Sequence, residues 1–184
     1  SLVGSEMCIR DSPEGPYIFA CNHASGYDVP LAFAGLPYWL ISIAKIELKS
    51  VFILGWVMKT AGHIFVDRKR SENAIAPLEN SKESLIKNPR SILLFPEGTR
   101  TMDGKLGFFK RGGLMLGLDT GIPIVPVGIV GTYEMLKKGT WSFKNQPLEI
   151  RIGNPIHPKT FSNDSKNSLA KYVKKQVNAL LDQN

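Results

Sequence analysis

A histidine and an aspartate near the start of the chain have a spacing suited to acid–base chemistry. His23 and Asp28 lie in the segment NHASGYD, with four residues between them, one of which is Gly26. If the chain turns there, the carboxylate can return to the imidazole, bond one ring nitrogen and fix the tautomer. The other ring nitrogen can then accept a proton from an attacking alcohol, which contributes about 10²–10⁴-fold to a rate. The spacing therefore predicts a general base with its orienting carboxylate.

Other interpretations of the same segment are open from the residues alone. An isolated His–Asp pair more often caps a helix or satisfies a buried carbonyl, with Asp28 as a plain N-cap. Cys21 and Ser25 could serve as nucleophiles beside His23. However, Cys21 ends an apolar run that is expected in the core, and Ser25 lacks the Gly-x-Ser-x-Gly surroundings of a nucleophile elbow. A metal site would need further ligands, and only two other histidines remain, so none is predicted.

Two more polar clusters each follow an apolar run directly. Asp67 and Arg68 follow HIFV, and residues 96–100 (PEGTR) follow SILLF. An arginine presents a planar fork that matches phosphate oxygens, so Arg68 and Arg100 are the predicted phosphate anchors. Glu97, between its Pro and Gly neighbours, suits binding of a polar head group. The alternative is a set of ordinary ion pairs on a solvated rim.

The apolar runs alternate between strand and helix patterns. Strands are predicted at 17–21, 38–44, 63–66, 91–95, 123–130 and 148–152, and helices at 29–36, 51–61, 71–88 (beginning late, after Pro77), 114–119 and near the C-terminus. This alternation predicts a single-domain α/β fold with a mixed, mostly parallel sheet flanked by helices. Ligand sites in such sheets collect beyond the carboxyl ends of strands, so the three clusters should converge in one crevice. The apolar residues 51–58 are predicted to be core, with acyl-chain or bilayer contact as the alternative.

Composition limits the class of protein. The 184 residues suit one domain, and 43% hydrophobic with 21% charged residues argues against disorder. A net charge of +7 predicts an anionic partner. Nucleic acid is disfavoured because the cations are not interleaved with aromatic residues. The two cysteines make no disulfide framework, and no apolar run reaches the roughly 20 residues that span a bilayer.

The first residues do not resemble the rest of the domain. The chain begins with Ser, and residues 1–12 have neither the basic start nor the apolar middle of a signal peptide. Residues 1–12 are therefore interpreted as a non-native leader and residues 13–184 as the functional domain, from which a native N-terminal membrane anchor is expected to be missing.

Four ordered segments carry a family resemblance. NHASGYD, GHIFVDR (62–68), FPEGTR (95–100) and VPV (125–127) resemble the four blocks of the glycerolipid acyltransferase superfamily, and most resemble its 1-acylglycerol-3-phosphate acyltransferase branch. The resemblance runs from about residue 17 to residue 131. It implies a glycerol-3-phosphate acyltransferase-like fold. It also implies direct acyl transfer, without an acyl-enzyme, from acyl-CoA or acyl carrier protein to lysophosphatidic acid, giving phosphatidic acid with no metal or other cofactor.

The resemblance also assigns roles by position. His23 becomes the catalytic base and Asp28 its partner. The acceptor-binding residues become Arg68, Glu97, Gly98, Thr99 and Arg100. Thr101 stands where the branch often has Ser. A membrane surface at the cytoplasmic face is the implied location, and no oligomeric state is predicted.

Three alternatives accompany this prediction. The acceptor could be glycerol-3-phosphate or another lysophospholipid. The chain could be a lysophospholipid or thioester hydrolase that uses Ser25 or Cys21. It could also be a binding module with a silent catalytic site, although both members of the His–Asp pair are present.

Overall fold

A six-stranded sheet forms the centre of the protein. The computed structural model describes residues 15–67, 82–83, 85–88, 90–140, 142–161 and 166–182. The strands are β1 (Ile18–Cys21), β2 (Leu40–Lys45), β3 (Ile64–Val66), β4 (Ser91–Leu94), β5 (Ile124–Val130) and β6 (Glu149–Ile152). Their order across the sheet is β3-β2-β4-β1-β5-β6. All neighbouring pairs are parallel except β5 and β6, which are antiparallel. The predicted mixed, mostly parallel sheet is confirmed.

Helices flank this sheet and connect its strands. They are α1 (Asp28–Gly35), α2 (Phe52–Thr60), α3 (Arg111–Thr120), α4 (Thr132–Met135) and α5 (Lys166–Leu181), with short 3₁₀ turns at Ile46–Ser50 and Pro158–Thr160. Helix α3 begins three residues before its predicted start, and the short α4 was not predicted. The predicted helix at 71–88 falls mostly outside the described residues, although residues 82–83 and 85–87 are helical. The predicted leader at 1–12 lies outside them entirely.

Strand β1 is buried on both of its faces. Ile18 and Ala20 belong to a core cluster shared with α3 and α5, whereas Phe19 and Cys21 belong to a second cluster shared with α1. All four side chains are fully buried. A strand covered on both faces requires a continuous apolar run, as IFAC provides. The residues directly after β1 are therefore held by a rigid, central strand.

Helix α2 does not lie in the core. Phe52 is 91% exposed and Trp56 is 68% exposed, while only Gly55 of this helix is buried. A Cβ atom at Gly55 would collide with the backbone oxygen of Lys49, so the helix packs closely on the preceding 3₁₀ turn through its glycine. The prediction that residues 51–58 are core was wrong. The prediction followed the rule that a helix that is apolar on all sides is buried. In this protein the helix instead leaves most of its apolar side chains exposed.

No helix within the described ranges has both the length and the apolar character needed to cross a bilayer.

Candidate active site

The His23 and Asp28 side chains meet just beyond the carboxyl end of β1. The Nδ1 atom of His23 lies 2.8 Å from Oδ2 of Asp28. Because an ionised carboxylate can only accept, Nδ1 carries the proton and Nε2 is left as an acceptor. Asp28 is fully buried, whereas the His23 side chain is 14% exposed. The contact predicted from the spacing is present, and the imidazole has access to solvent.

The loop between the two residues folds around the carboxylate. The backbone N–H groups of Ala24 and Ser25 donate to Oδ2 of Asp28 at 2.7 and 2.8 Å. The residue that precedes α1 is Tyr27, and it makes no side-chain capping bond. Asp28 therefore bonds the loop before the helix and does not act as an N-cap, so the capping interpretation of this pair is wrong.

The plane of the His23 ring is fixed by an aromatic neighbour. Phe95, directly after β4, stacks on the imidazole with ring centroids 4.2 Å apart and an interplanar angle of 26°. Asn22 anchors the same loop to β5, since its side chain donates to the backbone oxygen of Ile129 and accepts from the Ile129 N–H. The base is thus held by both strands that neighbour β1.

A threonine just beyond the carboxyl end of β5 completes the surroundings of the carboxylate. Thr132, the first residue of α4, donates from Oγ1 to Oδ1 of Asp28 at 2.5 Å and is buried. Thr132 was not predicted from the sequence. The VPV segment (125–127) lies a few residues before Thr132 and predicts the strand, but it does not indicate a role for the threonine.

Glu97 joins the loops that follow β1 and β4. Its Oε1 accepts the backbone N–H of His23 at 2.7 Å, and its Oε2 accepts the backbone N–H of Gly107 at 2.8 Å. Burial raises the pKa of this carboxyl, while the two backbone bonds oppose that rise. A Cβ atom at Gly107 would stand 2.7 Å from Oε2, so the close approach requires glycine there. Gly107 is a second residue of the site that was not predicted from the sequence.

A cavity of about 450 Å³ lies next to this loop pair. It is lined by Glu97, Thr99, Arg100, Thr101, Asp103, Lys105, Leu106, Gly107, Phe108 and Lys110. Gly98 adopts a left-handed conformation, φ +72°, with the Lys110 side chain packed over it. The predicted residues 97–100 are therefore brought together with two lysines at one opening. Arg68, predicted to join them, lies outside the described residues.

The proposed nucleophiles of a hydrolase are poorly placed. Cys21 is fully buried, and burial raises the pKa of its thiol well above the ordinary value. Ser25 is also fully buried, and its hydroxyl donates to the backbone oxygen of Leu136 at 2.7 Å. A reactive thiol or hydroxyl needs access to substrate and a basic partner. Neither group has this access, which argues against the hydrolase alternative.

His63, the histidine of the GHIFVDR segment, has a structural role. Nδ1 of His63 accepts the backbone N–H of Ser42 at 2.8 Å, and Ser42 Oγ is also 2.8 Å away. Burial lowers the pKa of His63. Among the residues that the structure describes, no three His, Cys, Asp or Glu side chains gather as a metal site would require.

Comparison with known proteins identifies the family. A sequence profile of the family described as Acyltransferase matches residues 4–130, more than half of the chain. The chain belongs to the acyltransferase family. The resemblance stated from the four segments is therefore confirmed.

Individual members of the acyltransferase family agree with this assignment. The chain is 34% identical over 178 residues to a 1-acyl-sn-glycerol-3-phosphate acyltransferase of Saccharomyces cerevisiae, covering 96% of this chain and 57% of that protein. It is 31% identical to the human alpha enzyme of the same name, covering 94% and 62%. The crystal structure of the 1-acyl-sn-glycerophosphate (LPA) acyltransferase PlsC from Thermotoga maritima superposes with a TM-score of 0.81 at 33% identity, covering 97% and 68%. The fold is thus that of this acyltransferase, while the chain spans less than two thirds of the yeast and human proteins.

Proposed function

We propose that this chain transfers a fatty acyl group to the free hydroxyl of 1-acylglycerol-3-phosphate, giving phosphatidic acid. The observation that carries the proposal is the buried Asp28 bonded to Nδ1 of His23, which leaves Nε2 as an acceptor on a side chain that is partly exposed to solvent. The names of the two relatives supply the substrate class. We propose that residues 13–184 form the acyltransferase domain and that this domain acts on the same substrate class.

The proposed reaction needs one proton to move and one bond to be exchanged. Nε2 of His23 accepts the proton of the acceptor hydroxyl as its oxygen attacks the thioester carbonyl carbon. The new C–O ester bond forms, the C–S bond breaks, and the thiolate leaves and recovers the proton from the imidazolium. Asp28 stabilises the imidazolium while it exists. Acyl-CoA or acyl carrier protein supplies the thioester.

Cations at the cavity are the proposed phosphate site. Arg100, Lys105 and Lys110 line it, and Arg100 offers two parallel donors to a phosphate. Both oxygens of Glu97 already accept backbone N–H groups, so its contribution to binding is to hold the loops of the site. Together with Gly98 and Thr99 these residues remain the proposed acceptor-binding block, and family resemblance adds Arg68.

A membrane surface is the proposed setting of the reaction. Helix α2 presents Phe52, Ile53 and Trp56 to the outside, and lysines flank it at both ends. Aromatic and aliphatic side chains with nearby cations suit the interface of an anionic bilayer. Helix α2 follows β2 at the same sheet edge as the His23 site, because β2 and β1 both run parallel to β4. We therefore propose binding at a membrane surface, with lipid delivered at this edge, and the family resemblance adds the cytoplasmic face to this proposal.

The decisive experiment follows phosphatidic acid and free fatty acid together. Purified protein in liposomes is given labelled oleoyl-CoA and lysophosphatidic acid, and wild type is compared with His23→Ala. The exposed His157 provides a matched control, His157→Ala. We expect phosphatidic acid from the wild type and the control and a loss of about 10²–10⁴-fold in His23→Ala. Full activity in His23→Ala would refute the mechanism, and fatty acid without phosphatidic acid would favour a hydrolase.

The acceptor is tested in the same assay. Glycerol-3-phosphate and other lysophospholipids replace lysophosphatidic acid at equal concentration. The highest kcat/KM is expected for lysophosphatidic acid. A higher value for another acceptor would keep the acyltransferase and change its substrate.

A further inference from the structure

The carboxylate of Asp28 is bonded differently on its two oxygens. Oδ2 faces His23 Nδ1 and the backbone N–H groups of Ala24 and Ser25, all supplied by the local loop. Oδ1 faces Thr132, which lies 104 residues further along the chain. A carboxylate turns easily about its terminal torsion, which has a broad, roughly two-fold profile. A donor on Oδ1 therefore contributes to the direction in which Oδ2 points.

The position of Thr132 is set by the backbone around it. Gly131, the residue before it, has φ +86°, and a Cβ atom there would collide with the backbone oxygen of Pro147. The turn from β5 into α4 thus requires glycine, and it delivers Thr132 to the carboxylate with 1% exposure. Ser25 Oγ donates to the backbone oxygen of Leu136 at 2.7 Å, which is a second link between the same loop and the end of α4.

We infer that Thr132 is a positioning residue for the acyl transfer, through the bond from its hydroxyl to Asp28. A threonine has one O–H to donate, and an ionised carboxylate can only accept it. This bond turns the carboxylate so that Oδ2 receives Nδ1–H of His23, which holds the imidazole in the tautomer whose Nε2 accepts the substrate proton. The inference rests on the proposed function for its kinetic consequence. The arrangement of the imidazole can be measured without substrate.

Substitutions at Thr132 separate the hydroxyl from the shape of the side chain. Thr132→Val keeps the shape and removes the donor, whereas Thr132→Ser keeps the donor. Thr132→Ala is the second donor-free variant if Thr132→Val does not fold. Thr120→Val is the matched control. The hydroxyl of Thr120, the last residue of α3, also donates to an internal acceptor, the backbone oxygen of Leu116. A merely structural role would make Thr132→Val resemble this control.

Two readouts are compared across the variants. In Thr132→Val, kcat for phosphatidic acid formation should fall about 10- to 100-fold, as expected for a bond to a charged group, while KM changes little. Thr132→Ser should recover kcat to within about threefold of wild type, and Thr120→Val should match wild type. The side-chain ¹⁵N shifts of His23, assigned from their loss in His23→Gln, should move toward the Nε2–H tautomer in Thr132→Val and return in Thr132→Ser.

The outcomes distinguish the two proposals. Wild-type ¹⁵N shifts in a folded Thr132→Val would overturn the positioning role, whatever the activity. An unchanged kcat in Thr132→Val would overturn it as well. If the wild type made no phosphatidic acid but the His23 tautomer changed as described, the positioning role would stand and the proposed function would fail.

Discussion

At the scale of single residues, the site depends on buried carboxylates that accept backbone N–H groups. Glu97 is the clearest test, because His23 N–H and Gly107 N–H each donate to one of its oxygens. In Glu97→Gln an amide NH₂ group must face one of these N–H donors. We expect the free energy of unfolding to fall by about 1–3 kcal/mol. Phosphatidic acid formation should also decrease, because the loop that carries His23 is released.

Two further variants test the role of Glu97, one at its bonding partner Gly107 and one at a control carboxylate. Gly107→Ala should show the same two defects, since its Cβ atom would press on Glu97 Oε2. Glu149→Gln alters a carboxylate that pairs with Arg151 on an edge strand, and it should behave nearly like wild type. Urea unfolding and the acyltransferase assay measure both effects. A stable, active Glu97→Gln protein would contradict the structural role of this carboxylate.

A second residue-scale prediction concerns the acceptor phosphate. Arg100→Ala should raise KM for lysophosphatidic acid by about tenfold or more, because a charge-assisted bond to phosphate is lost. KM for oleoyl-CoA should change little, and Arg100→Lys should recover only part of the loss, since lysine lacks the planar fork. Lys171→Ala, an exposed cation on α5, is the control. Equal effects on both KM values would place Arg100 outside the phosphate site.

Some residues of the site could be predicted from the sequence and others could not. His23 and Asp28 were predictable because they are close in sequence, where four intervening residues limit their geometry. Thr132 was not, because threonine is common and its partner Asp28 is 104 residues away. Gly107 was not, because glycine is common and nothing in the stretch between it and Glu97 indicates their contact. The parallel pairing of β1 with β5 brings Thr132 to the Asp28 carboxylate, and the pairing of β1 with β4 brings Glu97 to the His23 N–H.

At the scale of elements, a titratable contact lies beside the pairing of β2 with β3, between Ser42 of β2 and the residue before β3. Nδ1 of His63 accepts the Ser42 N–H, and protonation of that nitrogen would remove the acceptor. The pKa of His63 in the fold is lowered from the model-peptide value of 6.5. Below that pH the unfolded chain binds the proton more readily than the folded one. The free energy of unfolding should therefore decrease as pH falls below 6.5 toward the folded pKa.

His63→Asn isolates this contribution. Asparagine can place an oxygen near the Nδ1 position but does not titrate, while all other ionisable groups stay in both proteins. Urea unfolding from about pH 7.5 to about pH 5 should show a weaker decrease in the variant than in wild type. Identical pH dependence in the two proteins would show that His63 does not couple to folding.

Element boundaries were predictable to different degrees. Strand β1 was predicted within one residue because an apolar run between Pro16 and the polar NHASGYD segment has sharp limits. The bounds of helix α2 were also predicted well, but the prediction that it is buried was wrong. Apolar character indicates that a side chain favours leaving water, but it does not indicate whether the protein core or another apolar surface will cover it. Helix α4 has four residues, too few for any helical periodicity.

At the scale of the whole molecule, α2 predicts how the protein meets lipid. The double variant Phe52→Ser, Trp56→Ser removes two of its most exposed apolar side chains. Binding to vesicles that contain anionic lipid should weaken about tenfold or more, because each lost side chain removes an apolar contact. Tyr172→Ser, an exposed aromatic on α5, is the matched control.

Co-sedimentation with vesicles measures this prediction. The folded state of each variant is checked by circular dichroism before the comparison. Equal binding by wild type and the double variant would refute α2 as the lipid contact, and loss of binding in Tyr172→Ser instead would assign that contact to α5.

The central place of β1 has a consequence for how the protein is made. Its IFAC segment is synthesised before its partner strands, since Tyr17 N–H bonds Ser91, 74 residues later, and Asn22 bonds Ile129, 107 residues later. Until then the nascent chain carries an apolar strand with two open edges, the kind of segment that aggregates unless a chaperone covers it. Truncated products of interrupted translation would therefore contain His23 and Asp28 but be targets for chaperones and proteases.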